Sequence, residues 1–228
     1  MDLKKTILNQ LCEKSVIKKQ VFIQSLKLFQ EIKKTGKESI LEIKKSLNKQ
    51  KHSLEANFKD RNKFEFMIQF AGDVLIFQFH TNVFHFELNH YIFKSKYIKQ
   101  DPLRAYCCNI NIYNFLADTF KYNRYEDAGI LIGRIFINKE NNFFVEGHSN
   151  FEKKFNRTTM GRDFQNQTLD KKNIRKLIDT AILYGIELDL ITPSFKNVSH
   201  ISLRQIIDMK NKLGLLTSKE LGYKISKK

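Results

Sequence analysis

Between residues 64 and 93 the chain reads FEFMIQFAGDVLIFQFHTNVFHFELNHYIF, and large apolar side chains alternate there with smaller or polar ones in three successive runs. Period two over four to eight residues is the mark of a half-buried strand. Phe64, Phe66, Ile68 and Phe70 share one face of the first run, Leu75, Phe77 and Phe79 of the second, and Phe84, Phe86 and Leu88 of the third. Ala71-Gly72-Asp73 and Thr81-Asn82 supply turn-like breaks. The pattern predicts an antiparallel meander with a phenylalanine-rich face, which helices on both sides must cover.

Residues 3 to 57 read as helix almost throughout. In one heptad register Leu8, Cys12, Phe22, Leu26, Phe29, Ile40, Ile43, Leu47 and Leu54 fall on the seam, interrupted by Ser15, Lys19, Lys33, Gly36 and Gln50. Thr35-Gly36 fits a C-cap, so a hairpin of two helices and one kinked helix are both compatible with the pattern. After the meander, YIFKSKYIK at 91–99 reads as an edge strand with Tyr91, Phe93 and Tyr97 on one side and Lys94 and Lys96 on the other. Asp101-Pro102 is a strong helix start, and Leu103, Tyr106, Cys107, Ile110, Tyr113, Ala117 and Phe120 recur at helical spacing, predicting a buried helix to about residue 120. A second hairpin follows at 130–138 and 143–148, turned at Lys139 to Asn142. Residues 151–169 are polar and lack either period. Asp170 then caps an amphipathic helix with Ile174, Leu177, Ile178, Ala181 and Ile182 on its stripe and Gly185 as its stop. A short strand at 186–191, a helix over about 201–213 and a capping box at Thr217 and Glu220 complete the chain.

The expected fold class is α+β: an N-terminal helical segment, an antiparallel sheet of about five strands with helices packed on it, and C-terminal helices. The expected division is 1–60 for the N-terminal helix or hairpin, 61–191 for the α+β core and 192–228 for a helical extension. The element order helix, three strands, helix, two strands, helix, over about residues 3 to 185, resembles the type III secretion chaperone-like fold, a small dimeric protein-binding module. That resemblance includes no sequence motif, transfers no site, and departs from those chaperones in charge, since they are commonly acidic.

Charge changes the picture. The chain of 228 residues carries 40 Lys plus Arg against 24 Asp plus Glu, a formal charge of +16. The excess is uneven: residues 1–60 hold 14 basic and 7 acidic, 61–150 hold 10 and 9, and 151–228 hold 16 and 8. Basic flanks around a neutral middle attract polyanions, nucleic acid first among them. The steepest cluster lies between residues 152 and 176, where eight basic residues face Glu152, Asp163 and Asp170. Arg157, Arg162, Lys171, Lys172, Arg175 and Lys176 are therefore the candidate nucleic-acid-binding residues. The arginines can grip phosphate in a bidentate way, and a helix N-terminus adds its free N–H groups.

No stretch is long and apolar enough to span a bilayer, and MDLKKTILNQ lacks the apolar core and cleavage site of a secretory leader. Three cysteines, two of them adjacent, do not make a disulfide framework, which points to a reducing, cytoplasmic setting. No P-loop, G-x-G-x-x-G or G-x-S-x-G motif occurs, and neither a cofactor nor a metal is expected. His85-x-Glu87 lacks the P-C-x-x-C partner of the zinc deaminases, leaving a His85, Glu87 and Asp73 site as the one geometrically open metal arrangement. Three functions follow in order: a non-catalytic module binding nucleic acid or another polyanion, a protein-interaction or chaperone-like module using the N-terminal helix for self-association or a protein partner, and a metal-dependent nuclease.

Overall fold

The structure is a computed structural model that describes residues 3–155, 164, 168–188 and 202–204. It opens with one uninterrupted helix, α1 (Leu3–Lys49), about 70 Å long at 1.5 Å per residue. Strands β1 (Ala56–Asn62), β2 (Glu65–Phe70), β3 (Asp73–Phe79) and the short β4 (Phe84–His85) follow. After one-turn 3-10 helices at 91–94 and 102–105 flanking α2 (Lys96–Gln100) come β5 (Tyr106–Leu116) and α3 (Ala117–Lys121). The hairpin β6 (Ile130–Asn138) and β7 (Phe143–Gly147) leads to α4 (Ser149–Phe155) and α5 (Lys171–Ile186). All pairings are antiparallel in the order β1-β2-β3-β5-β6-β7, with β4 joining β5 beyond the end of β3. The sheet has seven strands, two more than the pattern promised, and the class is mixed α+β.

The alternation read from the sequence sets the two faces. Phe66, Ile68 and Phe70 on β2 and Leu75, Phe77 and Phe79 on β3 are buried, and they meet Ile110 and Ile112 on β5 and Ile135 on β6. α1 covers this inner face with Val21, Ser25, Phe29, Ile32, Gly36 and Ile40, spaced to share one side of a helix. α5 packs beside α1, burying Ile174, Leu177, Ile178, Ala181 and Ile182. Phe77 lies flat on Phe66 with ring centroids 4.6 Å apart, and Phe29 of α1 meets Phe66 at 5.6 Å and Phe79 at 5.5 Å.

Gly36 is not a cap. It sits mid-helix where a Cβ would stand 3.1 Å from Phe66 and 3.3 Å from Ile68, so glycine lets α1 approach the sheet closely. Packing offsets the roughly 1 kcal/mol that glycine costs a helix interior relative to alanine. Another seam interruption, Lys33, is buried yet satisfied: its Nζ donates to Asp60 Oδ1 at 2.8 Å and to the Asn62 carbonyl at 2.7 Å. Gly185, read as the stop of α5, is likewise a point of close approach, where a Cβ would stand 2.7 Å from Phe70, and the helix runs on to Ile186.

The largest departure is residues 102–120. Asp101 does cap, accepting from Leu103 N at 3.0 Å, but it starts only the 3-10 turn at 102–105, and 106–116 is the long central strand. Within YCCNINIYNFL the apolar residues fall at helical spacing by coincidence. The decisive period is two, with Cys108, Ile110 and Ile112 on the inner core and Asn109 and Asn111 on the other side. Asparagine and β-branched isoleucine are weak helix formers, and pairing with β3 and β6 takes the segment into the sheet. The element order behind the resemblance to secretion chaperones is therefore not kept between β4 and β6. Cys107 and Cys108, adjacent on a strand, point to opposite sides and enter different clusters. Burial raises both thiols, Cys108 to about 11.

Smaller differences follow from the same competition between local pattern and sheet pairing. Residues 56 and 57, expected at the end of the N-terminal helix, instead open the charged edge strand β1, which runs to Asn62. Residues 91–99 form the first 3-10 turn and most of α2 rather than a strand. Phe86, expected on the inner core, packs instead into an outer-face cluster with Phe136 and Phe144, at centroid distances of 5.0 and 5.9 Å. Residues 151–155, read as irregular, are the end of α4, and Ile186, read as strand, ends α5. The strand beyond Leu188, almost all of the 201–213 helix and the capping box at Thr217 and Glu220 lie outside the described residues.

Phe77 is fully buried between Phe66 and the α1 side of the core. Phe77→Ala is expected to lower the free energy of unfolding by about 3–5 kcal/mol, through the transfer energy of the deleted ring and a residual cavity, read from the midpoint shift in urea at unchanged m-value.

Candidate nucleic-acid interface

The sequence-derived basic cluster is centred on the start of α5. Asp170 caps that helix by accepting from Asn173 N at 2.8 Å, which fixes the direction in which the first turn leaves the sheet. Lys171 and Lys172 are exposed on that turn. Arg175, one turn on, is engaged on both sides: Nη1 and Nη2 donate to Glu42 Oε1 and Oε2 of α1 at 3.2 and 2.7 Å, and Nε donates to Asp179 Oδ2 at 2.9 Å. Those hydrogen bonds hold the Glu42 carboxyl below its ordinary range. Lys176 places its ammonium 5.0 Å from the Phe155 ring centre, and Lys154 pairs with Glu187. Arg157 and Arg162 lie outside the described residues.

Of the six candidates, then, Lys171, Lys172, Arg175 and Lys176 share the N-terminal half of α5, and Arg175 ties that half to α1. The tie brings α1's own charge into the same region. α1 carries twelve lysines and four glutamates. Lys45, one turn after Glu42, is close enough to add its field to that carboxylate. Periodicity and charge along the chain show α1 with an apolar stripe and a basic excess without joining the two clusters; the Glu42–Arg175 bridge, 133 residues apart in the chain, has no local signature.

The histidines do not converge on the carboxylates named with them. Asp73 stands opposite Leu116 and His85 opposite Tyr106, so β5 separates them by ten residues, about 33 Å of strand. His85 Nδ1 lies 2.7 Å from the Phe86 carbonyl, and its ring packs against Phe93 and Tyr106. His90 stacks on Phe86, and burial lowers its pKa. Among the described residues no three His, Cys, Asp or Glu side chains come together, and no helix is long and apolar enough to cross a membrane.

Tyr97, expected on the aromatic side of an edge strand, is enclosed in a polar network. Its hydroxyl donates to Glu140 Oε2 at 2.7 Å and accepts from Asn138 and Asn142 at 2.9 and 3.1 Å, while the Arg104 guanidinium covers its ring at 4.2 Å. The network clamps the 97–105 segment onto the β6–β7 turn.

The chain matches no family model, no curated protein and no solved structure in the comparisons made with each.

Burial and the hydrogen bond to Glu140 raise Tyr97 from 10.0 to about 12. The folded state thus keeps a proton that the unfolded chain loses near pH 10, so this stabilisation is full below pH 10 and is lost as pH rises towards 12. A phenolate absorbance titration should show one tyrosine ionising near pH 12 in the native protein, and that late step should vanish in Tyr97→Phe.

Proposed function

We propose that this chain is a non-catalytic module that binds nucleic acid or a comparable polyanion across the lysine-bearing side of α1 and the first turns of α5. The observation that carries the reading is the joining of two basic segments into one region by the Glu42–Arg175 bridge, with Lys171 and Lys172 exposed beside it. Arg175 offsets one of its two carboxylate partners, Glu42 and Asp179, and the flanking Lys45, Lys171 and Lys172 outweigh the other. Exposed lysines on two neighbouring helices suit the phosphate backbone, which is recognised by charge and not by base edges. Arg157 and Arg162 belong to the proposal on sequence grounds. A reducing, cytoplasmic compartment fits the two buried thiols, which sit on opposite faces of β5.

The direct test is fluorescence anisotropy with a labelled duplex and a labelled single strand over a salt series. For the duplex, replacing Lys45, Lys171 and Lys172 together with glutamine should weaken binding and reduce the slope of log K against log salt by about 0.9 for each phosphate that the variant no longer neutralises, with the unfolding midpoint unchanged. Equal slopes for mutant and parent, or no binding by the parent, would remove this surface from the reading.

One observation supports a second reading, a protein-interaction module. The side of α1 that is buried from Val21 onward continues towards the N-terminus as Leu3, Ile7 and Leu11, with Leu8 alongside, and these are 54–76% exposed. An apolar stripe of this kind suits self-association or a protein partner. If it drives self-association, Ile7→Ser with Leu11→Ser should shift the protein to monomer in sedimentation equilibrium; an unchanged mass would sink that reading.

A further inference from the structure

The outer face of the sheet holds a site that neither reading uses. At the end of the sheet away from the Phe86 cluster, β1, β2 and β3 form the floor of an open cleft of about 910 Å³, and α3 with the segment to Asp127 forms its wall. Small-molecule sites commonly enclose about 300–1,000 Å³. Arg124 lines this cleft with a side chain only 8% exposed. Its Nε lies 2.7 Å from Asp127 Oδ2, but none of its three guanidinium nitrogens makes a hydrogen bond among the described residues, and all three are shielded from solvent.

The local backbone holds this group in place. Arg124 N donates to the Thr119 carbonyl at 2.9 Å, Asp127 N donates to the Arg124 carbonyl at 3.2 Å, and Thr119 Oγ1 donates to Asp127 Oδ2 at 2.7 Å. Asp127 is thereby fixed beside Nε, which leaves the Nη1 and Nη2 fork without an acceptor among the described residues. Arginine cannot shed its proton to relieve this, and buried donors without acceptors are strongly disfavoured.

We propose that this cleft binds a small organic acid through a single carboxylate gripped by the Arg124 fork, which a turn of the Arg124 side chain brings out of its shielded position into the cleft, with the ligand's apolar body against Ile76, Phe115 and Phe120. The planar fork matches a carboxylate in bidentate geometry. Of the other charged groups lining the cleft, Arg61 is paired with Glu65 and Asp127 with Arg124, while Glu55 and Asp118 balance Lys59 and Lys121, so a second negative charge on the ligand finds no excess positive charge to offset its desolvation. The site therefore selects against the polyanions suited to α1 and α5 on the opposite face.

The test is an NMR titration of the full 15N-labelled chain with 2-naphthoate, 2-naphthalenemethanol and 2-naphthyl phosphate. Saturable shifts confined to the Phe115–Asp127 segment and the facing residues of β1 to β3 are expected with naphthoate, with the neutral alcohol and the phosphate at least tenfold weaker. Arg124→Gln should weaken naphthoate at least tenfold. Gln69→Trp, which fills the floor from an outward strand position and keeps Arg124, should do the same, so the question stays decidable if Arg124→Gln does not fold. Absence of saturable binding, equal affinity for the alcohol or the phosphate, or unchanged affinity in Gln69→Trp would each overturn the proposal.

Discussion

The contact on which the rest of this structure depends is the seating of α1 on the phenylalanine face of β2 and β3. Phe29 reaches the rings of Phe66 and Phe79, and two turns later Gly36 lets the helix backbone come within van der Waals distance of Phe66 and Ile68. Large aromatic side chains on the sheet require either a distant helix with a filled gap or a close helix with a small residue. The chain takes the second arrangement. A Cβ at position 36 requires the Phe66 ring and the Ile68 tip to give by a few tenths of an ångström, and both are fully buried.

That seating gives the sheet two unlike faces. The inner face is apolar from β2 across to β7, and the basic helices α1 and α5 lie on it, so that apart from Lys33, which turns in to Asp60 of β1, most of their lysines lie on the exposed sides. Among the described residues the outer face is covered at one end, by the aromatic cluster under α2 and the 3-10 turns, and carries Gln78, Asn111 and the Arg134–Glu146 pair along its middle. At its far end the short α3 folds over the edge and leaves the cleft that contains Arg124. A charged side chain is tolerated out of solvent there because Asp127 stands beside it, and the incompleteness of that pairing is what gives the cleft its chemistry.

The parts of the fold that were legible in the sequence are those where one period stands without a rival. Alternation in 64–79 and 130–147 placed β2, β3, β6 and β7 within a few residues, and the 3.6 stripe from Ile174 to Ile182 marked α5 with its Asp170 cap. Residues 106–116 satisfied both periods, and a genuine Asp-Pro cap tipped the reading towards helix; only the neighbouring strands decide otherwise. β1 escaped because an edge strand needs little apolar content, its exposed positions being filled by Lys59, Asp60, Arg61 and Asn62. At the candidate interface the sequence placed four of its six residues on one half of α5 and gave no sign that Arg175 is already engaged by Glu42 and Asp179. Arg124 sits in a polar run that reads as loop, and a buried arginine has no periodic signal.

The first eighteen residues of α1 show how the docked part of a helix governs the free part. Almost every side chain from Leu3 to Gln20 is exposed, and only near its end do Ile17 and Lys18 touch the core and the Tyr106 ring, so this length takes little stabilisation from packing. An isolated helix of fewer than about 12–15 residues is marginal in water, and one of eighteen rich in lysine and β-branched residues is little better, because nucleation fixes several residues for one hydrogen bond. Here the nucleus already exists: the turns from Val21 to Ile40 are held by the sheet, and each further turn towards the N-terminus needs only propagation. The overhang is therefore helical by inheritance from the seat at Gly36, and its exposed apolar stripe keeps the phase of the buried one. Whatever binds this end meets a surface whose order is set by the contact between α1 and the phenylalanine face.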